Sequence, residues 1–374
     1  MLGLITWALG ALGRKVVLCG ALVLGILAVF SALTLTTTSV LFAARGFDLT
    51  YFLAVTGFYF ILWFIPKRLR FRIRPRRAPR QTVLFVAITV ISLTLIWIAA
   101  NGGLSRLSFD ILAIYDLRGD ALSTYFRFPF NYLNNWAAKI FAPTVFAIGI
   151  IRRNYWLIGF AVLTQVLFYG AYAQKTPIAM LFFALFSMWA VPRRILTSRL
   201  ELALSFILIV SILLYQLFGD ILVSALVINR TFFGPANNNV VFYEFFLENP
   251  HTFFSNSFLR GVVDYPLDLH VFDLISIVRT GDTGINPNTG ALGTGFMHMG
   301  YLGMFFYALV IGLIISIITS LSKHLPSWAP VAVAGPAMFI MLTSTDVSVA
   351  LLTNGLLVGI FVIFLWPKSV AASV

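Results

Sequence analysis

The sequence predicts an all-α polytopic membrane protein with about ten transmembrane helices and two large extracytoplasmic loops. Three observations carry this. Of 374 residues, 60% are hydrophobic and only 10% charged, whereas soluble domains carry about 25% charged residues. Mean hydropathy is +0.94. Several apolar runs reach the roughly 20 residues a helix needs to cross a bilayer. The whole chain, 1–374, reads as one integral membrane domain.

The elements follow in order. Residues 1–15 are apolar and end in Arg14-Lys15. No small-residue cleavage site precedes a polar start, so they read as a cytoplasmic tail or an extension of the first helix. The first span is about 16–43 and contains Cys19, the single cysteine, which can form no internal disulfide. The second is about 47–66. A run with eight Lys or Arg and no acid, KRLRFRIRPRRAPR, occupies 67–80. The third span is about 82–100. A loop at 101–134 mixes Arg106, Arg118 and Arg127 with Asp110, Asp116 and Asp120. The fourth span, about 135–151, ends at Arg152-Arg153 and contains Lys139. The fifth (155–173) and sixth (177–191) meet at a QKT turn holding Lys175. The seventh is about 200–222. A long loop at 228–290 precedes the eighth, 291–319. The ninth (328–342) and tenth (347–366) close the chain.

Orientation follows from the distribution of positive charge. With the N-terminus in the cytoplasm, the inner side receives 17 of the 26 basic residues and a single acid, Glu201. The other side receives 12 of the 13 acids. An even number of spans puts both termini inside. The net charge of +13 is therefore a topology signal and an anchor to anionic lipid, which argues against a nucleic-acid partner.

Chemistry is expected in the two extracytoplasmic loops. Loop 228–290 is rich in aromatics, Asn and Pro. Its FYEFF and NPHTFF segments read as short interfacial helices with the aromatic side toward the membrane. Aromatic and amide side chains together also suit sugar binding, since rings stack on C–H faces while amides and carboxylates bond hydroxyls. The competing reading is the ordinary interfacial aromatic belt.

The stretch 279–304, RTGDTGINPNTGALGTGFMHMGYLGM, runs from a polar loop straight into an apolar helix. It thus sets hydrogen-bonding groups where the headgroup of a lipid-anchored ligand would lie. RTFFGPANNNVVFYEFFLENPHTFFSNS followed by NPNTGALGTGFMHMGYLGM resembles Wzy-type O-antigen and oligosaccharide repeat-unit polymerases. The shared pattern is an Arg-aromatic start, a YxFF-like segment, and an N-x-N-T-G turn entering a span with G-x-x-G. The spacing Arg279-x10-Gly290 also matches an R-x10-G loop pattern of some members. The motifs cover about 228–304.

The resemblance implies a GT-C-like fold in a bacterial inner membrane and a periplasmic glycosyl transfer without nucleotide sugar, metal or other cofactor. The growing chain on undecaprenyl pyrophosphate is the donor, and a fresh lipid-linked unit is the acceptor. It also implies a Wzz-type chain-length regulator and a Wzx-type flippase as partners. Such a site must hold and stabilise the departing pyrophosphate, accept a hydroxyl proton and align two lipids.

Arginine suits phosphate because its fork binds two oxygens and stays charged. The candidates are Arg230 and Arg279, then Arg118, Arg127 and Arg260, with Lys175 as a point charge. The alternative for each is a snorkelling or acid-paired surface residue. Asn286, Asn288, Tyr243 and Glu248 are candidate substrate-binding residues. Related O-antigen ligases carry a His-Asn pair near the place of Asn288-Thr289, and an amide is no general base. Proton acceptance is left to Asp282, His298, Glu248, Glu244, His251 or His270. His298, about one turn inside the eighth span, is an uncommon membrane residue, and a hydrogen bond to a neighbouring helix is its alternative role. The remaining functional readings are an O-antigen ligase and a transporter of the same lipid-linked sugars.

Overall fold

In the computed structural model, the residues described are 48–69, 71–73, 79, 81–109, 124–172, 174–190, five positions in 210–217, 234–283, 287–323 and 325–366. The first expected span, and the seventh apart from those five positions, lie outside them. All regular structure among the described residues is helical, with one isolated bridge between Arg260 and Val263. Among the described residues, four helices are long and apolar enough to cross a membrane, by length and composition: Leu49–Pro66, Thr82–Ala100, Tyr155–Tyr172 and Ala291–Leu321. The protein is a membrane-embedded helical protein.

The chain divides into two compact units. One takes the described residues up to Phe71, those between Arg194 and Ile317, and Ile340–Ser348; the other takes Arg72–Arg193, Ile318–Phe339 and the described residues from Val349 on.

In the first unit, α1 (Leu49–Arg68) starts where Asp48 leaves the helical region and its Oδ1 accepts the amides of Thr50 and Tyr51, an N-cap. Helix α1 contains Pro66 and ends at Leu69. The second unit begins with α2 (Thr82–Ala100), then α3 (Phe130–Trp136), a π-helix (Ala137–Phe141) and α4 (Ala142–Ile151) in one continuous rod. Helices α5 (Tyr155–Tyr172) and α6 (Thr176–Ala190) follow. Tyr125 anchors this unit: its carbonyl accepts both Trp97 Nε1 at 3.1 Å and Asn134 Nδ2 at 2.7 Å. Trp97 stacks on Phe130 at 3.8 Å.

The loop expected at 228–290 contains two helices of the first unit, α7 (Gly234–Glu248) and α8 (Val271–Thr280). FYEFF is helical inside α7, but Phe242, Tyr243 and Phe246 are buried against the protein and not turned outward as expected. NPHTFF is not helical. Pro250 lies beyond the helix end, residues 250–252 carry no helix, and a run of turns begins at Phe253. The amides of Thr252 and Phe253 are spent on the carbonyls of Met297 and His298 instead of on a helix of their own.

The eighth span corresponds to α9 (Ala291–Leu321), which is not one rod. Met299 (φ −146, ψ 27) and Gly300 (φ 59, ψ −142) leave the helical region. His298 is therefore the last residue of a short helix, 291–298, and not a residue one turn inside a continuous span. The longer piece, 301–321, still measures about 31 Å at 1.5 Å per residue, enough for a bilayer core. The two pieces fold against each other: a Cβ on Gly303 would meet Gly295 O at 2.0 Å.

Helix α10 (Ala329–Thr343) corresponds to the ninth span. The tenth is divided into α11 (Val347–Leu351) and α12 (Leu356–Phe364) by a turn at Leu352–Gly355. That turn belongs to the second unit, where the Leu352 carbonyl accepts the Gly355 amide at 3.3 Å and Trp136 Nε1 at 2.7 Å. A broken membrane helix survives only when such carbonyls find donors.

Candidate functional site

Helix α7 opens GPANNN, three amides in a row before an apolar stretch. Two of them grip the NPNTG turn. Asn238 Nδ2 donates to the carbonyl of Asn288 at 2.6 Å, and Thr289 Oγ1 donates to Asn239 Oδ1 at 2.7 Å. Asn239 and Thr289 are buried and the side chain of Asn288 is exposed. The two halves of the motif, some 50 residues apart, are thus joined by hydrogen bonds.

Arg279 enters the same arrangement. It lies in the last turn of α8, which ends at Gly281, a place where a cation is favoured by the helix dipole. Its Nη1 donates to Asn238 Oδ1 at 2.6 Å. The residue is otherwise exposed, and no carboxylate among the described residues lies within salt-bridge distance of it. A neutral amide therefore aims the guanidinium without cancelling its charge, leaving the rest of the fork for an anion.

Further along α7, Tyr243 is the hub of a second cluster. Its hydroxyl donates to Asp48 Oδ2 at 2.5 Å and pairs with the hydroxyl of Tyr301 at 2.9 Å. Its ring packs on Tyr51 at 4.3 Å and Phe296 at 4.9 Å. Burial raises the Tyr243 phenol above its ordinary value, and the hydrogen bonds to Asp48 and Tyr301 add to this. Tyr243 is thus an oriented neutral hydroxyl.

The break in α9 is held by a third group centred on buried Thr252, His298 and Asp346. Phe254 N donates to His298 Nδ1 at 3.2 Å, and Thr252 Oγ1 lies 2.9 Å from the same nitrogen. An amide can only donate, so Nδ1 accepts and Nε2 carries the proton. Nε2 then donates to Asp346 Oδ2 at 3.1 Å, where Tyr307 also donates at 2.6 Å. Asp346 Oδ1 takes the amide of Ser348 at 2.8 Å and its hydroxyl at 2.5 Å. Ser348 in turn meets Ser257 at 2.6 Å. Thr252 and His298 are 0% exposed. The order Thr–His–Asp resembles a nucleophilic triad, but both imidazole nitrogens are engaged and the hydroxyl is enclosed. The group pins residues 252–254 and 346–348 to the helix break. It also holds Phe254 in a left-handed backbone (φ 64) with its ring stacked on His298 at 4.2 Å.

His251 lies beside Gly300, where an added Cβ would come within 3.0 Å of Nε2. Burial depresses its pKa below the ordinary imidazole value, partly offset by the nearby Met297 carbonyl. Its Nδ1 is buried with no partner among the described residues.

The other expected residues are more scattered. Asp282 is exposed; its carboxylate takes the amide of Thr283 at 2.6 Å, and its carbonyl accepts Ser276 Oγ at 2.6 Å. Glu248 ends α7 and is exposed, as are Glu244, His270 and Arg260. Lys175 and Arg127 belong to the second unit, and both are exposed. Arg118, Arg230 and Asn286 lie outside the described residues. In the second unit Lys139 sits in the π-helix and donates to Asn354 Oδ1 at 2.5 Å.

Asn238, Asn239, Asp48, Tyr301 and Asp346 were not singled out from sequence. Signals existed for three of them. Consecutive amides precede an apolar stretch, and Asp346 stands alone in a four-residue turn between spans. Comparison of the chain with family models, with curated proteins and with solved structures found no match.

Proposed function

We propose that this protein joins oligosaccharide repeat units carried on undecaprenyl pyrophosphate into a surface polysaccharide such as O-antigen. In this reading it is a bacterial inner-membrane glycosyltransferase with ten spans, a GT-C-like arrangement, cytoplasmic termini and a periplasmic site. The observation that carries it is the exposed guanidinium of Arg279, aimed by Asn238 beside the NPNTG turn. This is the cation that a departing lipid pyrophosphate requires, placed where the sequence enters an apolar helix. Arg230 is proposed as a second phosphate ligand. The hydroxyl of Tyr301, the partly exposed member of the Tyr243 cluster, suits a sugar hydroxyl. A Wzz-type regulator and a Wzx-type flippase are the proposed partners. The ligase alternative is disfavoured by Asn288 standing where the ligases carry His.

The test is the surface polysaccharide ladder after deletion of the gene and its restoration as wild type or Arg279→Ala. Deletion leaves core plus a single unit, and Arg279→Ala does the same while reaching the membrane normally. Loss of all units from core, with long chains accumulating on the carrier, would instead identify a ligase.

One observation favours a second reading, transport of the same lipid-linked sugar. Lys139 lies in a π-helix, a frequent functional irregularity, and bonds Asn354 in the turn that breaks the last helix. Cations within membrane helices and broken helices mark transport pathways. A transporter would lose more function with Lys139→Ala than with Arg279→Ala, and its lipid-linked units would stay on the cytoplasmic face.

A further inference from the structure

We infer that Asp48 is the proton acceptor for the glycosyl transfer, reached through a relay of two hydroxyls, Tyr301 and Tyr243. This rests on the polymerase reading above and supplies the base which that reading lacks. The relay has a defined direction. Tyr243 donates to Asp48 Oδ2 at 2.5 Å, so its own oxygen receives the hydrogen of Tyr301 across 2.9 Å. The oxygen of Tyr301 is then left as the accepting end of the chain. Tyr301 and Asp48 are both partly exposed, whereas the Tyr243 ring between them is buried at 3% exposure. A substrate hydroxyl can therefore meet the chain at Tyr301 while its middle stays ordered.

The cluster presents Tyr301 to a substrate: Tyr51, Tyr243 and Phe296 are buried, whereas Tyr301 is partly exposed. The rings of Tyr51, Tyr243, Phe296 and Tyr301 lie within 4.3–6.3 Å of Tyr243 or of one another in tilted or edge-on contacts. Helix α7 carries both halves of the machinery: Asn238, which aims Arg279, and Tyr243, about one and a half turns further on. The cation for the leaving group and the acceptor for the proton are thus set by one element.

The acceptor hydroxyl oxygen forms a bond to the anomeric carbon of the donor chain. The bond from that carbon to the pyrophosphate oxygen breaks, and its electron pair leaves with the lipid pyrophosphate. The hydroxyl proton passes to Tyr301, the Tyr301 proton to Tyr243, and the Tyr243 proton to Asp48. The carboxylic acid then returns its proton to water.

Asp48 also caps α1 through Oδ1, so the informative variant is Asp48→Asn, which caps equally well but accepts no proton. The full-length protein, reconstituted in vesicles with a pyrophosphate-linked oligosaccharide on a polyprenol, is assayed for polymer and for released lipid pyrophosphate. Asp48→Asn lowers kcat about 100-fold, within the range of general-base losses, with KM changed less than about twofold. Tyr243→Phe and Tyr301→Phe behave alike and lose the solvent deuterium isotope effect of the wild type. The double variant Asp48→Asn/Tyr243→Phe is no worse than either single one, because the residues act as a unit. Asp48→Asn retaining kcat within about threefold overturns the relay and leaves the polymerase reading standing. A wild-type protein that forms no polymer overturns the polymerase reading and the relay with it.

Discussion

Arg279 donates to Asn238 across 2.6 Å, and the amide nitrogen of the same Asn238 holds the Asn288 carbonyl at 2.6 Å. One neutral side chain therefore sets both the cation and the turn. Its neutrality matters. A carboxylate at that position would pair with the guanidinium and compete with any phosphate.

Asn238→Asp is accordingly expected to be worse than Asn238→Ala. The acid keeps the acceptor for Arg279 but spends its charge, and it loses the donor to Asn288. Losing one preorganised donor to a developing anion costs about 100-fold or more in rate. Chain length on a polysaccharide gel, normalised to membrane-inserted protein, checks the order. Arg279→Lys does not restore function, because a point charge lacks the bidentate fork.

His298→Ala is expected to act on stability. It removes one hydrogen bond to a buried carboxylate and leaves Phe254 N and Asp346 without their partner. Hydrogen bonds to charged groups contribute about 1.5–3 kcal/mol, so the midpoint of thermal unfolding in detergent falls by several degrees. Activity per folded molecule is retained at low temperature. A drop in activity with no change in midpoint would return His298 to the list of proton acceptors.

Gly300 and Gly303 test the break in α9. Gly300 has φ 59 and ψ −142, a region essentially restricted to glycine. Gly300→Ala adds backbone strain of about 1–3 kcal/mol and a Cβ within 3.0 Å of His251. Gly303→Ala is expected to be more severe, since its Cβ would stand 2.0 Å from a main-chain oxygen that cannot swing aside. The folded yield in detergent, read by size-exclusion chromatography, is lowest for Gly303→Ala.

His251 introduces acid lability. Its folded pKa lies below the ordinary value of about 6.5, because burial disfavours the imidazolium. The unfolded chain therefore binds the proton first as pH falls. Stability is full above about pH 6.5, declines below it, and the loss is complete once pH passes below the folded value. Unfolding midpoints at pH 7.5 exceed those at pH 5.5 for the wild type, and His251→Gln reduces the difference.

Much of the helical layout could be read directly. The third span was expected at 82–100 and α2 is Thr82–Ala100; α5, α6 and α10 begin and end within a residue or so of the expected spans. Two spans looked continuous and are broken. Residues 299–300 and 352–355 sit in runs apolar enough overall to read as single spans, and the breaks are stabilised by partners distant in sequence: Thr252 and Phe253 for one, Trp136 for the other. Hydropathy records transfer from water to an apolar phase. It carries no record of which distant donor satisfies a freed carbonyl.

The site divides in the same way. Arg279 stood out as a cation that topology does not explain, and Tyr243 and Asn288 stood out through the motifs that carry the resemblance. Asn238, Asp48 and Asp346 gained meaning only from their partners, 41, 195 and 48 residues away.

The sequence by itself determined that this is a helical membrane protein and where most of its helices lie, because burying apolar side chains and satisfying main-chain groups in lipid are local demands on composition. Only the tertiary structure decided that α7 gathers Arg279, the NPNTG turn and Asp48 around itself, and that a buried imidazole holds a helix break. Those are contacts between segments far apart in the chain, and hydrogen-bond geometry across such distances is written in no single stretch of residues.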